Sequence, residues 1–300
     1  MRAIVTGAKG QLGRALAEIL GERGHEVLPL SRSVDIADPS RLSVAVGDGF
    51  DVLFNAAAAT DVDRCEREPE WAFRVNAEGP GFLGELCRQA GAHLVHVSTD
   101  FVFSGRVSRP YREDDAPDPQ SVYGQSKLLG EKRALDACPG AFVARTSWVF
   151  GVTGRNFLHA VLDRAARGEP VRAAADQVGS PTYAADLAEA LVTSVERGLS
   201  GLYHVANEGA ASRYALAQAA LRAADLGSHE LIEAKLSDFP AEATRPLRTA
   251  LDCRAAAAEG LRLRPWEEAV AAFVRRLSVQ SDPLAAGLPA SQSVGVRCDD

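Results

Sequence analysis

Residues 2–13, RAIVTGAKGQLG, set an apolar run directly before three glycines spaced three apart, Gly7, Gly10 and Gly13, with an amphipathic run, QLGRALAEILGERG, following. Few folds accept that order. The apolar run suits a buried strand, and the run behind it repeats at helical spacing. Glycine between them lets the backbone turn tightly and approach a pyrophosphate, which then faces the free N–H groups and positive dipole end of the helix. Any tight strand-to-helix turn could use such glycines, but their place between the first strand and first helix favours a phosphate turn.

The alternation continues. HEVLPL, DVLFNAA, HLVHVST and AFVARTSWVFG read as further strands, and the run from Pro69 to Ala90 and SKLLGEKRALDA as helices. This predicts an α/β fold: a doubly wound, Rossmann-like parallel sheet with right-handed crossovers and ligands beyond the carboxyl ends of the strands. After Gly151 the rhythm changes to a helix in NFLHAVLDRAARGE, a strand PVRAA, a loop DQVGSPT and a helix YAADLAEALVTSVERG. A strand LYHVAN, a helix from Tyr214 to Asp225 and a last helix near PWEEAVAAFVRRL follow. We expect a dinucleotide-binding domain over 1–150 and a smaller mixed α/β substrate-binding region over 151–277, whether or not the two interleave. Residues 278–300, rich in Ser, Gly, Pro and Ala without periodicity, read as a disordered tail.

Charge and composition narrow the partner. With 33 basic and 40 acidic residues the net charge is −7, and no Lys/Arg stripe is present, which argues against nucleic acid. No apolar run reaches the roughly 18 residues needed to cross a bilayer, and MRAIVTG leaves no room for a secretory segment, so a cytoplasmic protein is expected. Cys65, Cys87, Cys138, Cys253 and Cys298 show no C-x-x-C spacing and are odd in number; they read as reduced thiols, with no metal site. A small molecule is the expected partner.

In SVYGQSK, Tyr123 and Lys127 stand four apart at the head of a helix, so phenol and ammonium share one face. A cation there favours phenolate, and the spacing predicts a tyrosine pKa below the usual value of about 10. An isolated pair of this kind could equally be a packed ring beside a solvated charge. The second strand ends in Ser31 and Arg32 where a carboxylate would select NADH; arginine instead accommodates a 2'-phosphate, so NADPH is favoured, with NADH the alternative. Asp35 and Ile36 are placed to touch adenine. FNAAAAT ends its strand with small residues beside which a cofactor can lie.

On SVYGQSK, TGAKGQLG, FNAAAAT and VHVSTDFVF the chain resembles the extended short-chain dehydrogenase/reductases, and within them the dTDP-4-dehydrorhamnose reductase branch. The likeness runs to about Leu277 and includes DVDRCE, Asn76 in RVNAEGP, RTSWVFG, RNF, DQVGSPT, ADLA and TRP. It implies a catalytic triad of Thr99, Tyr123 and Lys127, with Tyr123 the proton donor and Lys127 also holding the nicotinamide ribose. It implies cofactor contacts from Gly7, Gly10, Gln11, Leu12, Gly13, Ser31, Arg32, Asp35, Ile36, Asn55, Ala56, Ala57, Ala58, Ala59, Thr60 and Val97, besides Tyr123 and Lys127. Thr99, Asp100, Trp148, Asn156 and Gln177 would meet the substrate, a nucleotide-linked 4-keto-6-deoxysugar, here dTDP-4-dehydro-L-rhamnose. Two positions depart from the pattern: Ala59, where the family often carries a larger residue, and Phe101, where tyrosine is commoner. Phe101 also replaces the glutamate that follows Thr-Asp in related dehydratases, and a phenyl ring exchanges no proton. The resemblance leaves open a reductase of another keto-deoxysugar, a regulatory subunit like that of methionine adenosyltransferase, and a homodimer.

Overall fold

A computed structural model describes residues 1–47 and 49–281. The first half runs β1 (Arg2–Thr6), α1 (Gln11–Glu22), β2 (Glu26–Leu30), α2 (Pro39–Val46) and β3 (Val52–Asn55). It goes on through α3 (Val62–Arg67), α4 (Pro69–Phe73), α5 (Gly79–Ala90), β4 (His93–Thr99), α6 (Val122–Ala137) and β5 (Phe142–Thr146). The second half opens with β6 (Val149–Phe150), α7 (Phe157–Ala166), β7 (Val171–Ala174), β8 (Val178–Gly179), β9 (Thr182–Tyr183) and α8 (Ala184–Glu196). It ends with β10 (Gly201–His204), β11 (Ala211–Ser212), α9 (Arg213–Ala223), β12 (Leu231–Ala234), α10 (Arg254–Ala258) and α11 (Trp266–Ser281).

Six strands lie side by side in the order β10-β5-β4-β3-β1-β2, every pair parallel, as the alternation predicts. β2 lies on one side of β1 and β3 on the other, so the crevice above their carboxyl ends is the switch point where such sheets hold ligands. Pleating sends Ala3 and Val5 towards Leu16 and Leu20 of α1 and Leu187 and Leu191 of α8, while Ile4 faces Leu53, Leu83 and Leu94 on the other side. Burying each such leucine is worth about 1.5–3 kcal/mol, so both faces must stay covered. Pro29 is tolerated in β2 because that strand is the sheet edge. Among the described residues no helix is long and apolar enough to cross a membrane. Cys65, Cys87, Cys138 and Cys253 are free thiols whose pKa burial raises.

Elsewhere tertiary contacts redraw the sequence reading. β10, from the second half, extends the central sheet beside β5, and α8 packs on α1, so the sheet is not confined to residues 1–150. AFVARTSWVFG is not one strand: Trp148 adopts φ +47, and β6 leaves the sheet to pair with β9. β8 forms within DQVGSPT, expected to be a loop, and β9 begins at its last residue, Thr182, and ends at Tyr183. Residues 278–281 continue α11 rather than starting a tail, and the rest of the expected tail lies outside the described residues.

The run from Pro69 to Ala90 is helical but widens into a π-turn over Arg74–Glu78. Such turns recur at functional sites, and this one carries Asn76 inward. Its Nδ2 donates to the Ala59 carbonyl at 3.1 Å and Ser126 Oγ at 3.1 Å, while its Oδ1 accepts from the Ala59 N–H at 2.8 Å. Opposite it, α6 presents Gly130, where a Cβ would fall 2.0 Å from the Asn76 carbonyl oxygen. Alanine at position 130 gains about 0.8–1 kcal/mol of helix propensity but must push apart two backbones, an overpacking cost of about 1–3 kcal/mol. We expect Gly130→Ala to lower stability in urea unfolding; an unchanged or higher midpoint would mean that α6 does not press on this turn.

Candidate active site

The glycine turn is a cradle with no room for side chains. Gly7 adopts φ +67, and a Cβ on it would fall 2.6 Å from the Ala56 carbonyl oxygen. A Cβ on Gly13 would fall 2.2 Å from the Gly7 carbonyl oxygen. Gly10 is the N-cap of α1, which has no side-chain cap and no acid in its first turn, so its N–H groups remain open to an anion. These features fit a dinucleotide pyrophosphate. Beneath them a buried polar chain joins three strands: Thr6 Oγ1 donates to Asn55 Oδ1 at 2.7 Å, and Asn55 Nδ2 lies 3.0 Å from His96 Nδ1. Asn55 Oδ1 also accepts from the Ala57 N–H at 3.2 Å, setting the strand end where Ala56, Ala57 and Ala58 lie half-buried.

Further along this edge the expected cofactor residues divide. Arg32 is exposed, with no side-chain partner among the described residues, and Ser31 meets only Ser33, so both are free for a ligand. Leu12 and Ile36 instead bury their side chains in the two core layers, leaving only backbone to a cofactor. The Asp35 carboxylate is taken by the Arg74 guanidinium at 2.6 Å and the Ala37 N–H at 3.0 Å. Ala59 gives both backbone groups to Asn76 and buries its methyl beside Cys65 and Ala72. Thr60, exposed, lines the neighbouring cleft.

Thr99 and Tyr123 meet where β4 outruns β3: Asn55 pairs with His96, and Val97, Ser98 and Thr99 project beyond. Tyr123 lies in the first turn of α6, whose start is fixed by the Ser121 cap on the Gly124 N–H at 3.2 Å and by Glu66 Oε1 accepting the Val122 N–H at 2.8 Å. The Phe101 ring stands edge-on to Tyr123, centroids 5.4 Å apart. One turn on, Lys127 Nζ donates to the Val97 carbonyl at 2.6 Å.

The electrostatics differ from the sequence expectation. Burial pushes the Tyr123 phenol above its ordinary pKa, the Asp100 charge adds to this, and a hydrogen bond with Thr99 opposes it. Lys127 is not among the groups that act on it. Its own ammonium, buried with only the Glu131 charge to offset desolvation, falls to about 8. At neutral pH the phenol therefore keeps its proton and Lys127 its charge. Below them Glu131 forms a buried fork with Arg145, Oε1 to Nε at 2.9 Å and Oε2 to Nη2 at 2.7 Å, and accepts from Ser98 Oγ.

A cleft of about 490 Å³ opens from Thr99 and Tyr123. Trp148, Gln177 and Asp100 line it as expected. Trp148 is wedged between Gly179, where a Cβ would fall 2.6 Å from its ring, and the Arg213 guanidinium 3.6 Å from its centroid. Asp100 is 2 % exposed and caged by Ser147 Oγ at 2.8 Å, Thr99 Oγ1 at 3.2 Å and Thr249 Oγ1. Asn156 is not at this cleft. It caps α7 through the His159 N–H at 3.1 Å, and its Nδ2 donates to Gln11 Oε1 and the Gly151 carbonyl, both at 2.8 Å, so the expected substrate and cofactor residues consume each other. Arg213 and Phe239, which no motif marked, also line the cleft, as does Arg245 of the TRP motif. Glu131 was discoverable, one turn beyond Lys127 on the same face.

Comparison with known proteins agrees with this geometry. The family model described as RmlD substrate binding domain matches residues 1–279. A dTDP-4-dehydrorhamnose reductase of Mycolicibacterium smegmatis is 42% identical over 275 residues, 90% of this chain and 84% of that protein. A probable dTDP-4,6-dihydroxy-2-methyloxan-3-one 4-ketoreductase of Streptomyces antibioticus is 37% identical, covering 96% of this chain and 99% of that one. A dTDP-4-dehydrorhamnose reductase of Bacillus anthracis, solved in complex with NADP, superposes with a TM-score of 0.87 at 32% identity, covering 92% of this chain and 99% of that chain.

Both side chains of the Arg145–Glu131 pair are at most 4% exposed. Removing one partner strands a buried charge, so Arg145→Met should cost about 3–5 kcal/mol. Adding Glu131→Gln should recover part of the loss, the rest being the Lys127 charge that Glu131 also offsets. A double variant no more stable than the single one in chemical denaturation would show that packing, not charge, is at stake.

Proposed function

The chain belongs to the RmlD substrate-binding-domain family, and from that premise we propose that it reduces the 4-keto group of dTDP-4-dehydro-L-rhamnose to dTDP-L-rhamnose with NADPH. The observation that carries the reading is the meeting of the Thr99 and Tyr123 hydroxyls at the mouth of the cleft, with Lys127 one turn behind. Bound above the glycine turn, NADPH would supply a hydride for carbon 4. Thr99 and Tyr123 orient the keto oxygen, and Tyr123, protonated at neutral pH, gives that oxygen its proton. The Lys127 ammonium, one turn behind and bonded to the Val97 carbonyl, would hold the nicotinamide ribose. The raised phenol pKa suits reduction, since the donor must arrive protonated. Elimination of water is disfavoured twice: Phe101 has no exchangeable proton, and the Asp100 carboxylate is withdrawn into its three hydroxyls. The relative from Streptomyces antibioticus supports a second reading, reduction of another dTDP-linked keto sugar. The intact hydroxyl pair and lysine speak against a purely regulatory subunit. A soluble small-molecule substrate suits a cytoplasmic site of action.

Supplying NADPH and enzymatically made dTDP-4-dehydro-L-rhamnose should produce loss of reduced-nicotinamide absorbance and the rhamno configuration at carbon 4. Tyr123→Phe keeps the ring, so folding and cofactor binding should survive while turnover drops by about 10²–10⁴. No oxidation of NADPH by a parent protein that binds it would remove the rhamnose assignment, and near-parental turnover in the variant would remove Tyr123 as donor.

Arg32 stands free at the end of β2 to take the 2'-phosphate. Each charge-assisted hydrogen bond there is worth about 1.5–3 kcal/mol, so Arg32→Ala should cost at least about tenfold in kcat/KM for NADPH and little for NADH. An unchanged ratio between the two cofactors would deny Arg32 any part in the choice.

A further inference from the structure

Two of the sequence motifs, DVDRCE and TRP, supply no group to the chemistry above, yet the fold brings them into contact. Asp63 Oδ1 accepts from the N–H groups of Glu242 at 3.1 Å and Ala243 at 3.0 Å, and its two oxygens take Arg245 Nη1 at 3.2 Å and Nη2 at 3.0 Å. Arg67 adds an ion pair to Glu242. The same segment is tied to the second half through the Leu236 N–H on Asp176 Oδ1 at 2.7 Å and the Val178 N–H on the Leu247 carbonyl at 2.6 Å. Between these ties residues 239–247 form neither helix nor strand, so their position depends on the ties.

That segment is one wall of the cleft. Phe239, Pro240, Ala241 and Arg245 line it across from Thr99 and Tyr123. Phe239 keeps 38% of its surface exposed, an apolar ring at the lip. Arg213, stacked on Trp148, feels the Asp100 carboxylate first and the Arg245 guanidinium after it, and no carboxylate is hydrogen-bonded to it among the described residues. Each guanidinium already faces one carboxylate, Arg245 that of Asp63 and Arg213 that of Asp100, so an anion lying along both must carry more than one charge, as a diphosphate does. If the keto sugar sits at Tyr123, the diphosphate and base must run outward along this wall.

We infer that Asp63 and Arg245 are positioning residues for the substrate, their bond holding residues 236–247 as the wall against which the nucleotide diphosphate of the sugar nucleotide is bound. The inference rests on the reductase reading for its substrate class but not for its test, because dTDP binding is measured without turnover. Asp63→Asn keeps size and one acceptor for the backbone N–H groups while removing the charge that fixes Arg245.

Calorimetric titration with dTDP should show Kd at least about tenfold weaker in Asp63→Asn, the loss expected when a charge-assisted bidentate contact goes. With NADPH and the keto sugar, KM for the sugar nucleotide should rise likewise, while kcat and KM for NADPH stay within about twofold, and the Glu242 and Ala243 amides should exchange faster. Arg245→Lys, which keeps the charge on a single donor group, should fall between parent and Asp63→Asn. A dTDP Kd within about twofold of the parent would overturn the wall. Equal losses in kcat and NADPH affinity would show a merely structural role and overturn it too. A parent that binds dTDP but does not turn over fails the reductase reading alone, and the Kd comparison still decides the wall; a parent that binds no dTDP overturns both.

Discussion

The seating of α6 on the sheet is the constraint on which the rest depends. Tyr123, Lys127 and Glu131 follow one another at single-turn intervals on one face, so a single rigid placement of the helix aims all three. The approach must be close. A Cβ on Gly124 would fall 2.3 Å from the Phe101 carbonyl oxygen, and Gly130 rests on the backbone of Asn76, so glycine at both positions lets α6 settle at backbone distance. Asn76 then bonds Ala59 on one side and Ser126 on the other, giving the cofactor edge and the helix a common anchor. An ångström of drift would separate the paired hydroxyls, which is the scale on which orientation effects in catalysis operate.

Such a seat buries charge, and the polar interior answers that cost rather than adding to stability. A buried ammonium is unfavourable, and Lys127 stays cationic at neutral pH because the Val97 carbonyl accepts from it and the Glu131 charge lies one turn away. Glu131 in turn needs Arg145 and Ser98. Buried ion pairs of this sort often do no more than break even with an apolar core; here the pair supports a cation at a depth where an apolar core could not. Asp100 is treated in the opposite way. Ringed by hydroxyl donors, it holds Thr99 in place, and burial raises its pKa in spite of them.

The three acidic residues of DVDRCE show how one short stretch serves both halves. Asp61 caps α3 through the Arg64 N–H, Asp63 reaches the segment from the second half, and Glu66 holds the first N–H of α6. The same economy explains why the halves interleave: β10 completes the sheet that the first half begins, so neither half has a finished core without the other.

Periodicity and glycine spacing are local properties, and the sequence alone therefore determined the parallel α/β class, the tight turn at Gly7, Gly10 and Gly13, and the shared face of Tyr123 and Lys127. Arg32 was legible as a cation just beyond the end of β2, where the structure leaves it exposed. What lay beyond local reach needed coordinates. The π-turn at Asn76 answers contacts made across 17 and 50 residues, to Ala59 and Ser126. Asn156 reads as a polar group free for substrate until its position as the cap of α7, bonded to Gln11, is seen. The direction of the Tyr123 pKa turned on burial, and spacing to a lysine says nothing of depth. Asp63 and Arg245, 182 residues apart, meet only because the second half folds back over the first. Spacing encodes which groups share one element; which elements share a site is decided by packing, because only packing sets distance and removes water.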